Sequence, residues 1–316
     1  MSKSLRVVYM GTPQFAVAGL CSILKSNHHV VGIVTAPDRP AGRGKKLTPS
    51  AVKIEALAHN IPLFQPEKLN TNEIAKELIA LNADVFVVVA FRMLPKAIWS
   101  IPTLGTFNLH ASLLPQYRGA APIHWAIING EKETGLTTFL IDEKIDTGAI
   151  LLQQRMTIAS EETTGELSER MQEKSGPILI ETLDTLATGE FTPIAQSNRG
   201  LLKPAPKLTR INTHINWNEA GQDIVNKIRG LNPFPTAWST LKTEEDNVYV
   251  RFKRAHFVQG TSFDLPGTIQ IVDKQLSVAV HDGCVYIDEL QFPNKKSMET
   301  AALLNGYLFP SKSRFE

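Results

Sequence analysis

The order of residues predicts an α/β protein in two parts: a Rossmann-like, mostly parallel sheet covered by helices, then a small C-terminal β-barrel of OB-like kind. Three observations lead there. Short apolar runs alternate with helical segments through the first half of the chain, the pattern of βαβ units. One of those runs, residues 83–90, reads Ala-Asp-Val-Phe-Val-Val-Val-Ala, nearly continuous in apolar residues, as a strand buried on both faces must be. Beyond residue 247 the segments shorten to alternating strands with turns between them, which suits a small barrel.

Residues 5–10 form the first apolar run and end at Gly11, and residues 15–25 carry a helical pattern. Residues 30–35, apolar and β-branched, predict the second strand, and 36–46, rich in Pro, Gly and basic residues, predict a loop without period. Thr48 and Pro49 mark a helix start that runs to about His59, since proline suits a first turn. A strand at 61–64 and a helix at 73–81 lead to the buried strand. Residues 106–110 read as the next strand, Pro122 opens a helix that Gly130 ends, and strands at 136–141 and 149–153 flank a tight loop. Thr163 and Glu166 make a capping box for a helix reaching about Thr185. Between Phe191 and Trp217 there is no acidic residue; Arg199, Lys203, Lys207 and Arg210 are basic, and Pro193, Pro204 and Pro206 stiffen the path, which predicts an interdomain linker. A helix at 218–229 stops at Gly230, and strands are expected at 248–254, 267–272, 275–281 and 284–290. The expected divisions are 1–190 for the sheet domain, 191–209 for the basic linker and 210–316 for the barrel domain.

A chain of 316 residues suits two ordinary domains better than one core. With 43% hydrophobic and 20% charged residues it reads as globular, and its net charge of +2 means that any polyanionic partner is held by local patches. Cys21 and Cys284 lie outside any C-x-x-C pair, which argues against a disulfide framework or a zinc site and suits a reducing compartment. The N-terminus lacks a signal peptide's apolar core and cleavage site, and no apolar run approaches the roughly 18 residues of a spanning helix. A cytoplasmic protein with no membrane partner is expected.

The chemistry concentrates after residue 105. On a strand at 106–110, Asn108 and His110 share a face while Phe107 and Leu109 take the other. Two readings fit that pair: a site at the carboxyl end of a parallel strand, where open α/β sheets bind ligands, or a polar cap for the loop that follows. That loop, residues 112–123, has no regular period, and Pro115, Gly119 and Pro122 fix its path. Asp146 lies on the tight loop 142–148, where an aspartate bonded to its own turn is an equally ordinary role. Other chemistries find no support. Gly11-Thr12-Pro13 follows the first strand where a dinucleotide fold carries G-x-G-x-x-G, and Gly42-Arg43-Gly44-Lys45-Lys46 lacks the ending of a phosphate loop. His124 reads as a packed or surface helix residue, and the histidines have no metal-ligand spacing, so no metal is expected.

Together these segments are specific. N-L-H at 108–110, S-L-L-P-Q-Y-R-G-A-A-P-I at 112–123 and I-D-E-K-I-D-T-G at 141–148 resemble the folate-dependent formyltransferases. The likeness extends to V-V-Y-M-G-T-P-Q-F at 7–15, T-A-P-D-R-P-A-G-R-G-K-K-L-T-P-S at 35–50, I-R-G-L-N-P-F-P-T-A-W at 228–238 and P-G-T-I at 266–269, nearly the whole chain. The basic segment and the C-terminal domain make the members acting on charged tRNA the closer match. The resemblance implies transfer of the formyl group of 10-formyltetrahydrofolate to the amine of methionyl-initiator tRNA by a monomer. The alternative is a relative that formylates a small amine, or hydrolyses the formyl-folate, with the same groups. It implies Asn108, His110 and Asp146 as catalytic residues, with Asn108 donating to an oxyanion, His110 donating a proton and Asp146 holding His110 charged. It implies a folate pocket at Phe91, Arg92, Leu94, Ser112, Leu113, Leu114, Pro115 and Asp142. Many relatives carry Tyr-Gly where this chain has Phe91-Arg92, so backbone rather than side-chain contacts to the pterin are expected there, with Phe91 and Leu94 packed in the core. The tRNA is expected at Arg39, Arg43, Lys45 and Lys46, in a stretch from Arg39 to Lys53 with five basic residues and no acid, and at Lys203 and Lys207 in the linker.

Overall fold

A computed structural model describes residues 4–41, 44, 46–189, 191–197, 200–261, 264–310 and 312–316. The chain divides into two units, the first comprising Met1–Gly119, Thr134–Thr157 and Ser168–Pro204, the second Ala120–Glu133, Ile158–Leu167 and Ala205–Glu316. In chain order the elements of the N-terminal half are β1 (Arg6–Gly11), α1 (Phe15–Leu24), β2 (His29–Val34), β3 (Arg39–Ala41), β4 (Lys46–Thr48), α2 (Ala51–Ala58), β5 (Leu63–Phe64), α3 (Asn72–Ala80), β6 (Val85–Val89), α4 (Lys96–Trp99), β7 (Thr106–His110), α5 (Pro122–Ile128), β8 (Glu133–Leu140), β9 (Ile150–Thr157) and α6 (Thr164–Thr188).

Seven of the strands form one sheet in the order β5-β2-β1-β6-β7-β8-β9. The first five run parallel, and β8 returns antiparallel to β7, pairing His110 with Thr137 and Asn108 with Phe139. All five residues of β6 are buried, which is why its sequence shows no alternation. Val8, Met10, Phe86 and Val88 pack with Ile74, Leu78 and Ile98 in one cluster. Tyr9, also wholly buried, donates its hydroxyl to Ala16 O of α1 at 2.6 Å. α1 and α6 approach closely at Gly19, where a Cβ would lie 2.6 Å from Leu179. Since β1 lies between β2 and β6, the crossovers change direction there, which opens a crevice at the strands' carboxyl ends.

Three local expectations are corrected. The stretch expected as an unpaired loop contains paired strands: β3 and β4 make an antiparallel ribbon in which Arg39 pairs with Thr48 and Ala41 with Lys46. Turn-rich composition hid strands only three residues long. The helix α2 starts later than Thr48-Pro49, because the Ser50 hydroxyl accepts the Lys53 N–H at 3.0 Å and is the N-cap. Residues of the expected linker are held within the first unit: Ile194 bridges Ile150, and Tyr117 N–H donates to Lys203 O at 2.7 Å. The capping box of α6 is as expected, with Glu166 accepting the Thr163 N–H at 2.8 Å.

The second unit adds α7 (Gly221–Gly230), β10 (Ala237–Lys242), β11 (Asn247–Gln259), β12 (Ile269–Val272), β13 (Gln275–Val280), β14 (Gly283–Gln291), β15 (Met298–Glu299), α8 (Thr300–Leu303) and β16 (Arg314–Phe315). Its antiparallel sheet follows β12-β13-β14-β11-β10-β16 and curls until Phe315 N–H reaches Gly267 O at 2.9 Å, beside a bridge between Thr268 and Arg314. Trp217 fills the interior, stacked on Phe315 and donating to Ser239 Oγ at 3.0 Å. β10, β15 and β16 escaped the sequence reading. In β10 the buried face is Ala237, Ser239 and Leu241, while its largest apolar residue, Trp238, is only half-buried on the other.

Candidate active site

β7 carries Asn108 and His110 to the carboxyl edge of the parallel strands, and both project from one face because they are two residues apart. His110 is buried, and its Nε2 lies 2.8 Å from Tyr117 O. A carbonyl only accepts, so that nitrogen carries a proton and donates it. The other ring nitrogen, Nδ1, faces Asp146 Oδ2 at 3.9 Å, the outer range of an ion pair. Asn108 is half-buried, and among the described residues its side-chain amide has no hydrogen-bond partner. An amide donor and an imidazole nitrogen therefore share one strand face, with a carboxylate beside the ring.

Two loops complete the arrangement. In 111–119, Ser112 Oγ donates to Gln116 O at 2.6 Å, and Thr137 of β8 donates to Ser112 O at 2.6 Å while accepting the Leu114 N–H at 3.2 Å. Tyr117 takes a left-handed conformation, φ 60°, which turns its carbonyl onto His110. Gly119 N–H then donates to Asp146 Oδ2 at 2.9 Å. In 142–148, Asp142 accepts the Lys144 N–H at 2.9 Å and the Thr147 hydroxyl at 2.8 Å, folding the turn around itself. Asp146 is left-handed at φ 54°, and Gly148 is obligatory because a Cβ there would lie 1.7 Å from Leu140 O.

The expected folate residues divide. Leu94 belongs to the buried cluster under the sheet, and Leu114 packs with Phe139 and Ile150. Arg92 donates to Glu67 O at 2.9 Å and to Pro66 O, with its guanidinium over the Phe91 ring. Burial, then the Arg39 charge, lower its pKa from the ordinary value. These side chains, with that of Asp142, are engaged within the protein, which leaves backbone groups and the loop rims for the pterin contacts expected at Phe91-Arg92. On those rims Met93 is 75% and Ile145 61% exposed, while Lys96 and Glu143 pair at 2.6 Å across the two loops. Exposed apolar side chains at such rims suit a flat aromatic ligand. Of the expected tRNA residues, Arg39 and Lys46 are exposed on the β3–β4 ribbon, Lys203 is half-buried and Lys207 exposed, while Arg43 and Lys45 lie outside the described residues. Among the described residues no group of three or more His, Cys, Asp or Glu is arranged to hold a metal.

Sequence reasoning gave no role to Tyr117, Thr137 or Gln196, and gave Gly119 only a part in fixing the loop's path. Tyr117 and Gly119 stand inside the S-L-L-P-Q-Y-R-G motif, but they act through backbone atoms, which no side-chain pattern reports. Gln196 lies 50 residues from the loop it holds, in a segment without period.

A helix-covered parallel sheet with these groups at its carboxyl edge, followed by an antiparallel curled sheet, defines the class. Residues 5–183 match the family described as formyl transferase and residues 207–308 its C-terminal domain; the chain belongs to the formyl transferase family. It is 45% identical over 312 residues to the methionyl-tRNA formyltransferase of Flavobacterium johnsoniae, covering 99% of each chain. Solved structures share the fold at low identity. The N-formyltransferase of Helicobacter canadensis, in complex with folinic acid and dTDP-3-aminofucose, superposes with a TM-score of 0.66 at 20% identity, over 90% of this chain and 98% of that one. HypX of Aquifex aeolicus in complex with tetrahydrofolic acid gives 0.63 at 16% identity, over 96% of this chain and 47% of that longer one. Formyl transferases take their one-carbon group from formyl-tetrahydrofolate.

Proposed function

We propose that this chain transfers the formyl group of 10-formyltetrahydrofolate to the amino group of methionyl-initiator tRNA, for translation initiation, as a monomer in the cytoplasm. The observation that carries the reading is the convergence of the unpartnered Asn108 amide, His110 Nδ1 and Asp146 at the edge of β7. The full-length likeness to a methionyl-tRNA formyltransferase supports the choice of acceptor.

Bound at the rims of 91–95 and 142–146, the folate supplies the one-carbon unit. The residues of this chain do the rest. Asn108 donates its amide to the oxygen that gains charge as the amine adds to the formyl carbon. His110, held at Nε2 by Tyr117, has Nδ1 for proton traffic: the attacking amine must lose a proton, and the departing nitrogen must gain one. Asp146 steadies the charged imidazole and, through Gly119, the loop beside it. The Phe91, Ser112, Leu113 and Pro115 segments supply backbone groups and walls. Arg39 and Lys46 of the β3–β4 ribbon, together with Arg43 and Lys45 of the same sequence segment, meet the aminoacyl end of the RNA, and Lys203 and Lys207 meet its phosphates.

The test is formyl transfer from labelled formyl-folate to charged initiator tRNA, charged elongator tRNA and a small amine in parallel. Rapid transfer to the initiator tRNA is expected. Preference for the small amine, or release of free formate alone, would replace this reading with that of a small-molecule transferase or a hydrolase.

A further inference from the structure

We propose that Gln196 is a positioning residue, holding Asp146 against His110 from a segment that straps both site loops. The inference rests on Asp146 and His110 being the reacting pair.

The Gln196 amide is used at both ends. Its Oε1 accepts from Arg118 Nε at 3.0 Å and Nη2 at 2.6 Å, and its Nε2 donates to Asp146 O at 2.9 Å and Gly148 O at 2.8 Å. Chemistry dictates this orientation. A guanidinium has only donors and a carbonyl only accepts, so the amide has one way round. The bonds fall on the two residues that need them. Asp146 is left-handed at φ 54°, a basin that a non-glycine residue holds only when its surroundings impose it. Release of its carbonyl frees the residue to leave that basin, taking Oδ2 from the Gly119 N–H at 2.9 Å and from His110 Nδ1 at 3.9 Å.

The same segment holds the opposite side of the imidazole. Lys203 O accepts the Tyr117 N–H at 2.7 Å, Lys203 N–H donates to Gln116 Oε1 at 2.8 Å, and Gln116 Nε2 donates to Leu201 O at 3.1 Å. Tyr117 O in turn fixes His110 Nε2 at 2.8 Å. Ile194 anchors the near end on Ile150 by two backbone bonds of 2.8 and 2.9 Å. Residues 194–196 and 201–203 therefore set both neighbours of His110, the carbonyl on Nε2 and the carboxylate facing Nδ1.

Gln196→Met keeps the volume and removes the bonds, whereas Gln196→Glu keeps an acceptor for Arg118 and sets oxygen against the two carbonyls. Each is compared with wild type, Asp146→Ala and the double variants, in single-turnover formylation, KM for both substrates and thermal unfolding. Both Gln196 variants should stay folded with near-normal KM and lose about 10²-fold in turnover, the cost of a misplaced reacting group. In the Asp146→Ala background the same change should cost less than about threefold, because residues acting through one another are not additive. Normal turnover in Gln196→Glu, losses that multiply in the double variants, or unfolding of both single variants overturns the proposal. Normal turnover in Asp146→Ala would instead sink the reading of the site itself.

Discussion

The two nitrogens of the His110 ring face different partners, and the division sets what each neighbouring residue contributes. With Nε2 committed to the Tyr117 carbonyl, Nδ1 is the ring atom left to take up and give back a proton, and Asn108 is the group on the same face with a donor to spare. Asn108→Ala should lower turnover by about 10²–10³, the usual loss on removing one oxyanion donor. KM for the tRNA should change little, because the bond forms in the transition state; near-normal turnover would remove Asn108 from the site. A second histidine makes a pH prediction. His28 is 3% exposed, and its Nδ1 accepts the Leu5 N–H at 3.2 Å. Burial lowers its pKa below the ordinary 6.5, against the opposing pull of Asp184 at 3.4 Å. The fold thus prefers the neutral ring, so His28 contributes stability above its unfolded pKa, and that contribution is lost as pH falls toward the depressed value. Urea unfolding between about pH 7.5 and pH 5.5 should show wild type losing more stability than His28→Asn. Equal losses would show that this ring does not carry the dependence.

At the scale of elements, the β3–β4 ribbon joins the second strand's carboxyl end to α2. Its paired stems carry Arg39 and Lys46 out into solvent, and Asp38 at its base is held by Lys53 at 2.8 Å and Gln65 at 2.9 Å. Fixed at its root, the ribbon is suited to present Arg39 and Lys46 to a polyanion. Arg43→Ala should impair formylation of charged tRNA while leaving formyl-folate binding and thermal stability as in wild type. Equal rates for the variant and wild type with methionyl-tRNA would reduce the segment to a solvated surface. Much at this scale was legible in the sequence. The apolar run 83–90 is β6, the Thr163–Glu166 box starts α6, and Asn108 with His110 ends β7. The ribbon was not legible, since three-residue strands, one with Pro40 inside it and the two separated by Gly-Arg-Gly-Lys, carry no period. Nor was β10, where packing against Trp217 makes a serine a core residue.

Across the whole molecule a net charge of +2 over 316 residues leaves RNA affinity to local clusters. Lys207 sits in the stretch 191–217 that has no acid, and its side chain is exposed. Lys207→Ala should weaken tRNA binding in general and shallow the slope of log affinity against log salt by at most about one unit. An unchanged slope would mean that this lysine meets no phosphate. Lys203 and Lys207 stand only four positions apart, yet they fall in different units, Lys203 in the first and Lys207 in the second.

The sequence by itself determined the fold class and the two-part architecture, and it pointed to the candidate chemical groups. Those depend on local periodicity and on a motif whose residues lie within 41 positions, Asn108 to Gly148. Only the tertiary structure decided which atoms of those groups are free. That His110 offers Nδ1 follows from a carbonyl turned by the left-handed Tyr117, and that Asp146 stands opposite it follows from Gly119 and Gln196. Such choices are made by backbone carbonyls and N–H groups, which every residue carries alike. Their pairing across 27 to 50 positions leaves no mark on side-chain order and becomes visible only when the chain is folded.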